Sequence, residues 1–196
     1  MSTTVAIPLF PLHSVLFPNG ALPFRIFEPR YLEMISDCLK HNQGFGVCLI
    51  RTGSETGNAA EVYDTGTLSE ITYFNTQPDG LLGITASGKQ RFEIISKQIK
   101  PNQLMIAEVQ LLPNEPETSI PEEYAGAVEL LRKLFQQLSY PFAKIEKRYH
   151  DASWVGCRLA ELLPLDLEKK QQFLQLNDPV ERLSRIWQLL GELELR

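Results

Sequence analysis

Short apolar runs separated by Pro, Gly and Asn fill the chain as far as residue 118, and beyond it apolar residues recur at helical spacing. In the first part, Val5–Phe10, Ser14–Phe17 and Ala21–Phe27 are broken by Pro8, Pro11, Pro18 and Pro23. Proline has no ladder donor, so these pieces are expected at sheet edges or where strands turn corners. Glu28-Pro29 opens a short helix, with Tyr31, Leu32, Ile35, Cys38 and Leu39 on one face. Gly44–Arg51 returns to strand, and Thr52–Ala60 is a polar loop expected to be mobile. Thr65–Thr76 is β-branched and aromatic, Gln77-Pro78-Asp79-Gly80 signals a turn, and Leu81–Ala86, Lys89–Lys97 and Leu104–Leu112 continue the meander. Within the last of these, Met105, Ala107, Val109 and Leu111 alternate with Ile106, Glu108 and Gln110, as in a half-buried strand. So many short strands in about 115 residues predict a closed or nearly closed barrel.

The second part predicts four helices in a bundle. Ser119 and Glu122 are spaced as a capping box ahead of a helix over Pro121–Leu138, whose stripe is Tyr124, Val128, Leu131, Leu134, Phe135 and Leu138. Asp151–Leu163 and Asp166–Leu176 follow, separated by Pro164. Asp178-Pro179-Val180-Glu181 caps a last helix bearing Val180, Leu183, Ile186, Trp187, Leu190 and Leu193. Trp154 and Trp187 both sit at core spacing. The expected division is 1–117, a β-rich pseudo-barrel, and 118–196, an α-helical part.

Composition narrows the function. Over 196 residues, 43% are hydrophobic and 22% charged, as in an ordinary globular protein. The net charge is −5, with −4 before residue 118 and −1 after it, and no basic stripe occurs. That argues against a nucleic-acid backbone as partner, because phosphate contacts come chiefly from Lys and Arg. Cys38, Cys48 and Cys157 are widely spaced and read as small buried hydrophobes of a reducing compartment. With His13, His41 and His150 they form no zinc spacing, so no metal or other cofactor is expected. The N-terminal stretch lacks the basic and apolar regions of a signal peptide, and no apolar run is long enough to span a membrane. A cytoplasmic protein follows.

Candidate chemistry is sparse. Gly83–Gln90 nearly matches a phosphate-cradling loop, but Gln90 replaces the hydroxyl that would hold magnesium, and a strand follows where a helix N-terminus belongs. The glycines are expected to shape a hairpin. GxSxG is missing, His13 reads as a surface residue, and Glu61, Asp64 and Glu70 are strand charges. The densest polar and aromatic cluster is Arg25–Tyr31. There Arg25 and Arg30 could bind a peptide carboxylate or carbonyl groups, and Phe27 and Tyr31 could give flat apolar contact. The competing structural account has Glu28 capping the helix and Arg30 pairing with a carboxylate across the barrel. Arg91 has the same ambiguity, beside a core Phe92.

Three stretches carry a family resemblance. Ile7–Ile35 (IPLFPLHSVLFPNGALPFRIFEPRYLEMI) resembles the opening of the Lon protease N-terminal, substrate-binding domain. Thr65–Ile94, with Gly-Thr-Leu-Ser-Glu-Ile, Pro-Asp-Gly and Arg-Phe, is similar to its central segment, and Leu159–Leu190 to its helical end. The resemblance implies an α+β fold: a PUA-like β pseudo-barrel with one short helix, followed by a C-terminal helical bundle. It also implies recognition of unfolded or tagged polypeptides, possible work with a protease or chaperone, and Arg25, Phe27, Glu28, Arg30, Tyr31 and Arg91 as substrate-binding candidates. The 196 residues leave no room for an ATPase or a Ser–Lys protease domain, so a stand-alone, ATP-independent form is expected. A cereblon-type ligand module would need zinc-binding cysteines that this chain lacks. RNA binding, known for PUA-like barrels, and an independent hydrolase are the competing functions.

Overall fold

The computed structural model describes residues 4–76 and 80–192. The chain divides into two compact units, Met1–Pro113 and Asn114–Arg196. The first contains β1 (Thr4–Leu12), β2 (Ala21–Ile26), α1 (Pro29–His41), β3 (Phe45–Thr52), β4 (Glu61–Val62), β5 (Thr65–Thr76), β6 (Leu82–Ile99) and β7 (Met105–Leu111). The strands run in the order β1-β7-β6-β5-β3-β4, and a further β1–β3 pairing closes the circuit into a PUA-like pseudo-barrel. That closing pair is parallel, Leu9–Leu12 against Gly46–Leu49, and the remaining pairs are antiparallel.

The prolines of β1 do not make it an edge strand. Thr4–Leu9 pairs with β7 and Leu9–Leu12 with β3, so the strand changes partner midway. Pro8 and Pro11 are each in register with one neighbour, and the missing N–H is tolerated on the other side. Pro23 does lie on an edge, since β2 pairs with β6 alone. Ser14–Phe17, expected as a strand, is an irregular segment. Its apolar residues Val15, Leu16 and Phe17 are buried, but its backbone serves other groups: the Leu16 carbonyl accepts from Thr67 Oγ1 at 2.6 Å. Apolar content here reports burial, with no ladder.

Gly88 does not interrupt the sheet. The expected break between Leu81–Ala86 and Lys89–Lys97 is absent, because β6 runs unbroken for 18 residues. A register shift in the β5–β6 ladder between Leu68 and Ser69 absorbs the irregularity. Gly88 instead permits close approach: a Cβ there would lie 2.2 Å from the Phe17 carbonyl oxygen. The neighbouring turn at Gln77-Pro78-Asp79 lies outside the described residues, and Gly80 has φ +82°.

Two buried clusters pack against the curved sheet. Leu9, Cys48, Phe92, Met105, Ala107 and Val109 fill one cluster, while Phe10, Tyr31, Ile35, Phe45 and Ile84 form another with α1. The buried face of α1 is Tyr31, Met34, Ile35 and Cys38, rotated from the expected stripe so that Leu32 and Leu39 are exposed.

The second unit holds α2 (Ala125–Gln137), α3 (Ala152–Leu162), α4 (Leu167–Gln175) and α5 (Pro179–Glu192), with 3₁₀ turns at Glu122–Tyr124 and Phe142–Lys144. The Ser119–Glu122 box does not form; Ser119 instead makes a β-bridge to Asp151, and a 3₁₀ turn leads into α2. Asp151, Asp166 and Asp178 do accept backbone N–H bonds at the starts of α3, α4 and α5. Helix α3 is nearly all buried, including Trp154, and α2 and α5 both pack on it. Two ion pairs are sealed inside: Arg182 with Glu115 at 2.5 Å and Arg158 Nε with Glu161 at 2.9 Å. Leu193, placed on the last helical stripe, lies outside the described residues.

Gly88→Ala is expected to cost roughly 1–3 kcal/mol, because the added methyl must displace backbone, and urea unfolding would measure it. Burial raises the Cys38 thiol to about 11 and pushes the Cys48 thiol up as well. The native chain therefore holds these protons more tightly than the unfolded one. Stability should fall as pH rises from about 9 towards 11. Cys38→Ala should flatten that decline, and identical urea midpoints at pH 8 and pH 10 for the unsubstituted chain would contradict it.

Candidate functional site

The Arg25–Tyr31 segment joins the end of β2 to the start of α1, and its side chains divide sharply. Arg25 and Phe27 are exposed, Phe27 at 56%, whereas Arg30 and Tyr31 are each 5% exposed. Tyr31 stacks on Phe10 with ring centroids 4.1 Å apart, and the Arg30 guanidinium lies 4.7 Å from the Tyr31 ring centre. Burial raises the Tyr31 hydroxyl above its ordinary range.

Arg30 is an internal clamp. Its Nε faces Glu28 Oε2 at 2.7 Å, Nη1 donates to the Gln103 carbonyl at 3.0 Å, and Nη2 donates to the Glu55 carbonyl at 3.3 Å. Glu28 holds the N-cap position without a side-chain capping bond, because its carboxylate serves Arg30 and accepts from the Gly57 N–H at 3.0 Å. The carboxylate that Arg30 was expected to find across the barrel is thus two residues away. The loop at 52–60 is tied down accordingly: Glu55 Oε1 accepts from the His13 N–H at 2.7 Å, and Gln103 Oε1 from the Ala59 N–H at 3.2 Å.

Of the six residues singled out from sequence, Glu28, Arg30 and Tyr31 come together as this clamp. Arg25 and Phe27 share the adjoining surface. Arg91 is elsewhere, in β6 opposite Thr67, and is buried although it sits beside core Phe92. Sequence reasoning missed Tyr73 and Phe74, exposed at 48% and 58% on β5. Adjacent aromatics in a strand point to opposite faces, so both could not enter one core, which is the signal that was available. In the sheet, Phe74 is in register with Ile84, which is in register with Phe24 of β2. Two strand spacings of about 4.8 Å therefore separate the Phe74 and Phe24 positions.

A cavity of about 240 Å³ at the end of α1 is lined by Cys38, Leu39, Asn42, Ile71 and Lys89, and Lys89 is ion-paired with Glu70. Another of about 200 Å³ lies between α4 and α5. Both fall below the roughly 300 Å³ at which small-molecule sites begin. Among the described residues, no group of three His, Cys, Asp or Glu could hold a metal, and no helix is long and apolar enough to cross a membrane.

A closed β pseudo-barrel with one flanking helix, followed by helices, defines a class of domain. The family model for the ATP-dependent protease La (LON) substrate-binding domain matches residues 6–192, and the chain belongs to that family. A solved Lon N-terminal domain protein from Xanthomonas campestris is 32% identical, with a TM-score of 0.78, over 93% of this chain and 97% of that one. The N-terminal domain of Mycobacterium avium complex Lon protease, at 14% identity and TM-score 0.64, shares the fold over 93% of this chain and 96% of its own. Lon protease 2 of Desulfotalea psychrophila is 28% identical over 98% of this chain and 26% of its own length. Lon protease 2 of Herpetosiphon aurantiacus is 26% identical over 97% and 24%. The chain thus spans about a quarter of the length of these curated relatives.

Arg30→Ala should release the loop at 52–60 and cost roughly 2–4 kcal/mol, since it leaves Glu28 Oε2 and the Gln103 and Glu55 carbonyls without the donor Arg30 supplies. Faster amide exchange at Gly57 and Ala59 would show the release. Unchanged exchange there would refute the clamp.

Proposed function

We propose that this chain is a polypeptide-recognition module that binds unfolded or tagged proteins and acts as an adaptor in proteolysis, with a protease or chaperone as its working partner. The observation that carries this is the match to a substrate-binding domain over residues 6–192. The exposed aromatics support it: Phe27, Tyr73 and Phe74 are the side chains an apolar segment of an unfolded chain would seek. Arg25 and Phe27 meet the client directly, with Arg25 suited to a carboxylate or carbonyl group. Glu28, Arg30 and Tyr31 set the position of that segment, and Arg91 belongs to the barrel wall. Binding without catalysis, ATP or a cofactor, in the cytoplasm, completes the proposal.

Titrating the full chain against a reduced, carboxymethylated, fluorescently labelled protein should give binding near micromolar. Phe27→Ser combined with Phe74→Ser should weaken it about fivefold or more through lost apolar contact, with the unfolding midpoint unchanged. No binding at about 100 micromolar chain, a hundredfold above that affinity, would sink the proposal.

A further inference from the structure

Strand β6 outlives its neighbour. Its ladder with β5 ends at Thr65 opposite Glu93, followed by one bond from the Ile94 N–H to the Asp64 carbonyl at 2.9 Å. From Ile95 to Ile99 it pairs with β7 alone, across the Ser96–Glu108 to Ile99–Met105 registers. The Lys100 N–H bonds the Leu104 carbonyl at 2.9 Å, which makes Lys100 and Leu104 a hydrogen-bonded pair. Such pairs alternate along an antiparallel ladder, so Gln98 and Ser96 also turn their backbone groups to β7. Lys97 and Ile99 therefore turn theirs outward, on the side that β5 has left. Ile95 and Ile99 are each 56% exposed, and Lys97 between them is exposed too.

We propose that the Ile95–Ile99 edge of β6 accepts an extended client segment as an added strand, with an acidic side chain facing Lys97 and apolar ones facing Ile95 and Ile99. This rests on the polypeptide-recognition function and names the class of segment taken. Outward N–H and C=O groups on alternate residues fit an extended main chain, and main-chain pairing supplies affinity while alternate side chains supply selectivity. Charge complementarity sets the sign. Lys97 and Lys100 form no ion pair among the described residues, whereas the exposed Lys89 is already paired with Glu70. The carboxylate of Glu108, opposite Ser96, accepts from the Ser96 hydroxyl. A symmetric second copy centred on this edge would set Lys97 against Lys97, which is unfavourable. The β2 edge is a poorer template because Pro23 lacks a donor there.

The probe is a fluorescein-labelled peptide, Ser-Val-Thr-Glu-Thr-Val-Ser, titrated into the full chain, with the labelled unfolded protein run in parallel. Amide exchange should slow at Lys97 and Ile99. Lys97→Glu should weaken the peptide at least fivefold, and replacing the peptide's Glu with Lys should restore binding to that variant. The amide measurement needs no variant and stands if Lys97→Glu misfolds. Absent peptide binding, or protection elsewhere with Lys97 and Ile99 unchanged, overturns the proposal. So does concentration-dependent dimerisation that protects the same amides without peptide, which would assign the edge to a second copy. If the unfolded protein still binds while the peptide does not, only the edge proposal fails. If neither binds, both fail.

Discussion

The first unit depends on one parallel pairing. Leu9–Leu12 against Gly46–Leu49 joins two strands separated by β2 and α1, and so turns an open sheet into a closed circuit. Closure requires β1 to leave β7 and take β3 within nine residues, which two prolines at singly paired positions allow. It also requires the walls to meet closely. A Cβ on Gly46 would lie 2.7 Å from Leu9 Cδ2 and from Phe92 Cζ, so only hydrogen fits there. Alternate residues of β1 then feed two clusters: Leu9 with Phe92 and Val109, Phe10 with Tyr31 and Phe45.

Charge is used inside this protein more than its mild net charge suggests. Arg30 in the first unit and Arg158 and Arg182 in the second are each at or below 5% exposure. A buried guanidinium is tolerable only when its donors are occupied, and Arg182 shows how: it reaches both oxygens of Glu115 and the carbonyls of Phe173 and Leu176. These contacts span 67 residues from Glu115 and tie irregular segments to helices. Arg30 does the equivalent for the loop at 52–60. With Arg30 occupied inside, the side chains left open to a partner are surface ones, Phe27 and Phe74 foremost.

What remains on the outside suits contact along a surface. The cavities at the end of α1 and between α4 and α5 are small, while β2 and the far end of β6 each have one unpaired side. A closed barrel carrying exposed aromatics and open strand edges presents a preformed surface to an extended chain that lies against it. That is the physical basis for weak, broad recognition of the kind proposed here, in keeping with a family defined by substrate binding.

Period and local chemistry made much of the fold legible in the sequence. Alternation marked β7, β-branched residues marked β5, and aspartates at helix starts marked α3, α4 and α5, because each signal arises within a few residues and owes nothing to distant partners. Family resemblance carried the rest of the architecture through three segments that together span most of the chain. Tertiary structure alone decided which strand closes the barrel, that Gly88 marks a close approach to Phe17, and that Ser14–Phe17 is buried without a ladder. It alone separated Arg25 and Phe27 on the surface from Glu28, Arg30 and Tyr31 within. The reason is the same in each case: a side chain's role follows from which distant backbone or charge lies within about 3 Å, and linear order does not encode that distance.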